Sequence, residues 1–323
     1  MRYIISLLLA SSALPAMAEV PRVVTDIPPV HAITAQVMGE LGQPVLLLDR
    51  GANAHNYQLR PSQAASLADA GLVIWIGPEM TPWMDRALDG LSPDVPRLGL
   101  LAAEGTFRRD FGDASAHDHG DDDHGHAAEA TTEDHSGHDD AHDDHDEHLH
   151  TGLDPHAWLD PENAKVWAGL IAAELSRLDP ENAATYAANA AAAQARVQAL
   201  DGELSAMLAP VAGIPFVVYH DAYGYFASHY GLALAGSVAL GDASAPGAAR
   251  LRDLSQTVAD GGALCLFPEA QYDPALVTQM ASGTTARIGA ALDPSGSTID
   301  PGPEAYDGLM RALANNIVAC LNG

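Results

Sequence analysis

The chain has 323 residues and carries 43 Asp+Glu against 15 Lys+Arg, a formal net charge of −28 with its 15 His neutral. Such a balance excludes nucleic acid and anionic membrane surfaces as partners, since phosphates require Lys/Arg clusters and Lys165 is the single lysine. It suits a cation. Apolar residues make up 47%, and at roughly 150 residues per domain the length suggests two cores.

Arg2 precedes an apolar run from Ile4 to Ala16, and Ala16-Met17-Ala18 has the small-x-small form of a cleavage site. Residues 1–18 therefore read as a secretory signal peptide, with a buried first strand as the alternative. No other apolar run reaches the roughly 18 residues needed to span a membrane. The mature chain is expected to be exported and soluble.

From there strands and helices alternate. Strands are predicted at Val23–Asp26, Val45–Leu48 and Leu72–Ile76, with helices over Pro29–Leu41, Pro61–Ala70 and Thr81–Leu88 between and after them. Two helices follow, Pro161–Leu178 and the Ala-rich Glu181–Leu208, the second roughly 40 Å long at 1.5 Å per residue. The alternation then resumes. Strands fall at Phe216–Tyr219, Leu232–Leu240, Ala263–Phe267 and Ala286–Gly289, and helices at Tyr223–Tyr230, Ala248–Asp260, Pro274–Ser282 and Glu304–Leu321. Strands alternating with helices imply parallel sheets covered on both faces. The expected fold is α/β, with two lobes, each a parallel sheet flanked by helices, joined by a long rigid helix. The units are an N-terminal lobe 19–178, a linking helix 179–209 and a C-terminal lobe 210–323.

Residues 113–150 differ in kind. They hold 10 His and 14 Asp+Glu, no Lys or Arg, and no apolar periodicity. Low-complexity sequence of this kind cannot bury enough apolar surface to fold alone, so a mobile loop within the first lobe is expected. Removing its 14 acids from the net −28 still leaves the body at −14. Ten imidazoles in so short a stretch are hard to explain as solvation alone. His117, His119, His124, His126, His135, His138, His142, His145, His148 and His150 are predicted to form auxiliary weak metal-ion sites, a solvated linker being the alternative.

Five histidines remain outside that stretch. His55 follows a strand, in Gly51-Ala52-Asn53-Ala54-His55-Asn56-Tyr57; His220 follows the strand Phe216-Val217-Val218-Tyr219; and His156 sits in Leu153-Asp154-Pro155-His156-Ala157-Trp158 at a helix start. Open α/β sheets bind ligands beyond the carboxyl ends of their strands, so His55 and His220 place a site in the cleft between lobes. His31 and His229 read as structural or exposed, and Trp75, Trp83, Trp158 and Trp167 as core. Tyr223-Gly224-Tyr225-Phe226 reads equally well as cleft lining or core. Cys265 and Cys320 would meet an oxidising compartment, where a disulfide is the leading reading and two separate buried thiols the alternative.

At these motifs the sequence resembles the periplasmic zinc-binding component of an ABC importer, the ZnuA-type solute-binding proteins of metal-binding cluster A-I. The matching pieces are Gly51-Ala52-x-x-His55-x-Tyr57-x-Leu59-Arg60-Pro61, Asp154-Pro155-His156-x-Trp158 and His220-Asp221-Ala222-Tyr223-Gly224-Tyr225-Phe226. Cys265-x-Phe267-x-Glu269-x-Gln271 and Leu292-Asp293-Pro294 match as well, so the likeness covers essentially the whole mature chain. The resemblance implies that His55, His156 and His220 hold the metal. It also implies a periplasmic location and, as partners, a permease of the inner membrane with its ATPase.

The chain departs from the family pattern at one place. Family members often carry a ligating Glu directly before the first His, where this chain has Ala54. The fourth donor is then water or a carboxylate from elsewhere. Asp293 matches a position that supplies a carboxylate in related manganese and zinc binders, or it is a loop Asp capping a turn. Three imidazoles and one oxygen form a tetrahedral set that suits Zn²⁺, whereas Mn²⁺ prefers more carboxylate. Glu269 is expected behind the ligands, orienting an imidazole, with Asp221 and Arg287 as weaker candidates.

The leading function is therefore high-affinity zinc capture in the periplasm and delivery to the permease, by a monomer and with a zinc chaperone as a further partner. Zinc is cargo rather than cofactor, and no enzymatic role is expected. The alternatives are a periplasmic zinc buffer or metallochaperone and, less favoured, a zinc hydrolase, for which H-E-x-x-H and a nucleophile elbow are both missing.

Overall fold

The computed structural model describes residues 20–90, 94–112, 152–239 and 247–323. The signal-peptide reading and the His-rich segment 113–150 lie outside the described residues.

The first lobe is built from β1 (Val23–Thr25), α1 (Pro28–Met38), β2 (Val45–Leu46), α2 (Pro61–Ala68), β3 (Leu72–Trp75), α3 (Pro82–Leu88) and β4 (Arg97–Gly99). Its four strands lie in the order β2-β1-β3-β4, all parallel. After α4 (Pro161–Leu178) and α5 (Ala183–Leu208), the second lobe repeats the plan. It contains β5 (Phe216–His220), α6 (Gly224–Tyr230), β6 (Leu234–Ala239), α7 (Ala248–Ala259), β7 (Cys265–Phe267), α8 (Ala275–Ala281), β8 (Arg287–Ile288) and α9 (Ala305–Leu321). The order β6-β5-β7-β8 matches that of the first lobe. The two-lobed α/β fold expected from the alternation is the fold observed. β4 is an addition to the predicted elements.

Strand alternation sorts the side chains into layers, because successive residues of a strand point to opposite faces. Val23, Leu72 and Ile74 join Phe216, Val218, Cys265 and Phe267 in one core shared with α1, α4, α5, α6 and α9. Val24, Val73 and Trp75 face the other way, onto Leu67 of α2 and Trp83, Met84 and Leu88 of α3. Val217, Val238 and Leu266 do the same against α7 and α8. Both faces of each sheet are covered, which is why the strands read as unbroken apolar runs.

Proline opens α1, α2, α3 and α4, its fixed φ and missing N–H suiting the first helical position. Asp160 caps α4, accepting from the Glu162 amide at 2.9 Å. The 26 residues of α5 are mostly Ala and other strong helix formers, and bury Tyr186, Ala190, Ala193, Val197, Leu200, Leu204 and Leu208 along one side. A disulfide joins Cys265, at the start of β7, to Cys320 near the end of α9.

Candidate metal centre

In each lobe the strand order reverses between the first and third strands, and in the second lobe that places the crevice between β5 and β7. His220 is the last residue of β5 and Glu269 follows β7 by two residues, so the two meet there. His220 Nδ1 donates to Glu269 Oε2, which also accepts from the Tyr223 hydroxyl at 3.4 Å. His156 comes from the first lobe, where the turn before α4 holds it. Asp154 Oδ1 accepts both from the His156 backbone amide, at 3.0 Å, and from its Nδ1, at 2.8 Å. Both imidazoles and both carboxylates are buried, each at 4% exposure or less.

These bonds fix the tautomers. A carboxylate only accepts, so each Nδ1 carries a proton, and in the neutral ring Nε2 then holds the lone pair. The two Nε2 atoms face each other at 3.4 Å. Two lone pairs aimed at one another repel unless a cation lies between them. Donors of a tetrahedral zinc site with 2.0–2.1 Å bonds stand about 3.3–3.4 Å apart, so the pair already has the length of one tetrahedral edge.

His55 is half-buried beside them, its ring centroid 5.6 Å from that of His156. Asn53 shapes its loop, Oδ1 accepting from the amides of His55 at 2.8 Å and Asn56 at 3.2 Å. Among the described residues no three His, Cys, Asp or Glu side chains are yet gathered into a metal cage. The cavity lined by His55, His156, His220, Glu269, Gln271, Asn53 and neighbours encloses about 20 Å³. That is room for an ion and one water, far below the several hundred Å³ of an organic ligand site. Trp158 and Met80 give the wall its apolar part.

Both lobes reach across this cleft. Asn53 Nδ2 donates to the Tyr272 hydroxyl at 2.8 Å, the Gly51 amide to the Ser297 carbonyl at 2.9 Å, and Trp158 Nε1 to the Pro294 carbonyl at 2.8 Å. Asp293 organises the loop on the far side. Its Oδ1 accepts from Gln271 Nε2 at 2.9 Å and the Ser297 amide at 3.1 Å, and its Oδ2 from the Thr298 amide and hydroxyl at 2.8 and 2.7 Å. The structure thus places Asp293 behind the cavity wall with both oxygens engaged.

The remaining candidates do not line the cavity. Arg287 Nη2 reaches the Leu321 carbonyl near the end of α9. Asp221 is half-buried next to the site, and burial, followed by the charge of Asp154, pushes its carboxyl above the usual range. Tyr223, Tyr225 and Phe226 are core, and Gly224 brings the backbone so near Arg109 that a Cβ there would meet the guanidinium at 2.7 Å. His31 is buried with Nε2 on the Pro44 carbonyl at 3.1 Å, and burial lowers its pKa. Asp154, the partner of His156, was not singled out by sequence reasoning. Its signal was present as an Asp two residues before the His, the spacing at which Asx side chains bond the backbone.

His229 bridges three elements, with Nε2 2.8 Å from Asp201 of α5 and Nδ1 3.3 Å from Asp160 at the start of α4. Burial lowers its pKa, but the two carboxylates outweigh burial and the net shift is upward. A histidine raised in the folded state contributes stability that is full below its unfolded pKa and is lost as pH rises through the folded value. Tyr230 and Tyr306 stand nearby and stay neutral, both pushed upward by burial. His229→Gln is therefore expected to lower the melting temperature by about 1–2 °C at pH 6, on the scale of one kcal/mol, and by much less at pH 9. Equal losses at both pH values, read by calorimetry, refute the assignment.

Two lobes meeting over an ion-sized cavity lined with imidazole define a solute-binding protein for a metal cation. The sequence model of the family described as "Zinc-uptake complex component A periplasmic" matches residues 23–320. The "High-affinity zinc uptake system protein ZnuA" of Paracoccus denitrificans (strain Pd 1222) is 51% identical, over 97% of this chain and 95% of its own length. That of Brucella suis biovar 1 (strain 1330) is 38% identical, over 93% and 91%. A solved structure titled "Crystal structure of ZnuA" shares the fold with TM-score 0.70 and 24% identity, covering 93% of this chain and 99% of the other. The chain belongs to the periplasmic zinc-uptake component A family. It is a periplasmic solute-binding protein whose cargo is Zn²⁺, and not an enzyme.

Proposed function

We propose that this chain captures Zn²⁺ with His55, His156 and His220 and a fourth, water ligand, and hands the ion to an ABC permease driven by its ATPase. The observation that carries the ligand assignment is the 3.4 Å separation of two Nε2 lone pairs, each set by a carboxylate behind it. His55 completes the set by turning its ring onto the ion. Water is favoured over Asp293 for the fourth position because the Asp293 oxygens already accept from Gln271, Ser297 and Thr298. Ala54 lines the same wall and offers no oxygen from its side chain.

A monomer suits the surface. Among the described residues the exposed large apolar side chains are Val45, Phe107 and Ile288, on separate segments of the chain. A periplasmic zinc chaperone as donor belongs to the same reading and would show as transfer to the full chain faster than the donor's own zinc release. Deleting the gene is expected to abolish growth in zinc-poor medium. Growth unaffected there favours the buffering role instead.

The His-rich segment is proposed to hold zinc more weakly than the cleft. Its ten imidazoles should titrate near pKa about 6.5, the value of an unperturbed histidine, and a protonated ring repels the cation. Ordering a chain segment around each ion also carries an entropic cost. Deleting 113–150 is expected to lower zinc stoichiometry at pH 7 while leaving cleft affinity within about tenfold, and the segment's ions should leave first as pH falls toward 5.5. Unchanged stoichiometry in metal titration after the deletion assigns the segment to a linker role.

A further inference from the structure

Gln271 follows Glu269 by two residues and lines the metal cavity. Its amide orientation is fixed by chemistry. One end meets Asp293 Oδ1 at 2.9 Å and the hydroxyls of Ser295 and Ser297. A carboxylate oxygen can only accept, so that end is the NH₂ group and the other is the carbonyl. The carbonyl oxygen Oε1 is buried and has no hydrogen-bond partner among the described residues. Buried polar oxygens are rarely left in that condition, and such an atom needs a donor. The lining of the cavity beside it is otherwise imidazole, the Glu269 carboxylate, the Asn53 amide, the Ser295 hydroxyl and apolar wall.

We propose that the Gln271 carbonyl is the acceptor that holds the fourth, water ligand of the zinc ion, with Asp293 fixing the amide from its far end. The inference rests on the three-histidine reading above. It makes Gln271 a positioning residue. The water gives one hydrogen to Oε1 and its lone pair to the metal, and the neutral amide accomplishes this without adding charge to an already acidic protein. Through Nε2 the same side chain also braces the 293–298 loop, whose Pro294 and Ser297 carbonyls bind Trp158 and Gly51 of the other lobe. The water at the metal and the clasp between lobes would then share one amide.

Two substitutions separate the acceptor role from the bracing role, because the roles predict opposite orders. Gln271→Glu keeps an oxygen toward the ion but sets a second carboxylate against Asp293. Gln271→Met fills the space with no oxygen and no added charge. If the carbonyl holds the water, zinc competition with a chelator should leave Gln271→Glu within about tenfold of native, and weaken Gln271→Met by about 10–100-fold, the usual range for groups behind a metal ligand. If Gln271 only braces the loop, Gln271→Glu is the weaker binder; that order, or equal affinities, overturns the proposal. A second reading needs only Gln271→Glu. With Co²⁺ in the site, the alkaline transition of the visible bands, which follows loss of a proton from bound water, should move to higher pH because a carboxylate acceptor favours the protonated water. An unmoved transition overturns the proposal even if Gln271→Met does not fold. His220→Ala in the same titration tests the underlying reading separately, since tight binding there removes the site itself rather than the role of Gln271.

Discussion

His156→Ala and His220→Ala, each made in a chain lacking 113–150, are expected to weaken zinc binding by more than about 100-fold, since even a group behind a metal ligand is worth roughly 10–100-fold. Each substitution removes one of the facing Nε2 atoms and leaves its carboxylate, Asp154 or Glu269, buried opposite a void. His55→Ala is expected to cost less than either. Its ring is half-buried, whereas His156 and His220 are buried, and it comes from a loop rather than from a strand end or a helix start. The shorter chain matters, because imidazoles of the His-rich segment could bind zinc and hide the loss. Chelator-competition titrations give the dissociation constants, with circular dichroism confirming that each variant folds. Native affinity retained in either His156→Ala or His220→Ala refutes the ligand set.

Asn substitutions at the carboxylates would test orientation more gently, but the same physics explains what sequence could and could not disclose. The strands were legible because parallel strands covered on both faces must be apolar throughout, as in Leu72–Trp75 and Phe216–His220. β4 was not, since Arg97-Leu98-Gly99 is three residues long, lies at a sheet edge, and contains no β-branched side chain. His220 was legible from its place at a strand end. Asp293 could only be assigned once the 293–298 loop was folded back on it, because its partners Ser297 and Thr298 are local while Gln271 arrives from another segment. The orientation of the Gln271 amide has no sequence signature at all, since it depends on that same carboxylate meeting it across the fold.

Reducing the Cys265–Cys320 disulfide is expected to lower the melting temperature by about 5–8 °C without changing zinc affinity at the cleft. The bond closes a loop of 55 residues, for which chain entropy gives about 4 kcal/mol; spread over the unfolding entropy of about 300 residues at ~2.1 cal/mol/K each, that is the stated shift. The tether matters because α9 is the last element of the chain, and packs Leu309, Met310, Leu313, Ala314, Ile317 and Leu321 into the core shared by both lobes. Without it, the end of α9 is held by packing and by Arg287 at the Leu321 carbonyl. The cleft should be spared by geometry. β5 and β7 run parallel, Cys265 starts β7, and Glu269 and His220 lie past or at the carboxyl ends, so roughly four residues at about 3.3 Å each separate bond from site. Calorimetry of oxidised and reduced protein, paired with thiol titration, gives both halves of the result. Two thiols titrating in the native, unreduced protein would remove the bond itself, and a zinc affinity that falls in step with the melting temperature would mean that the far end of β7 is coupled to the site.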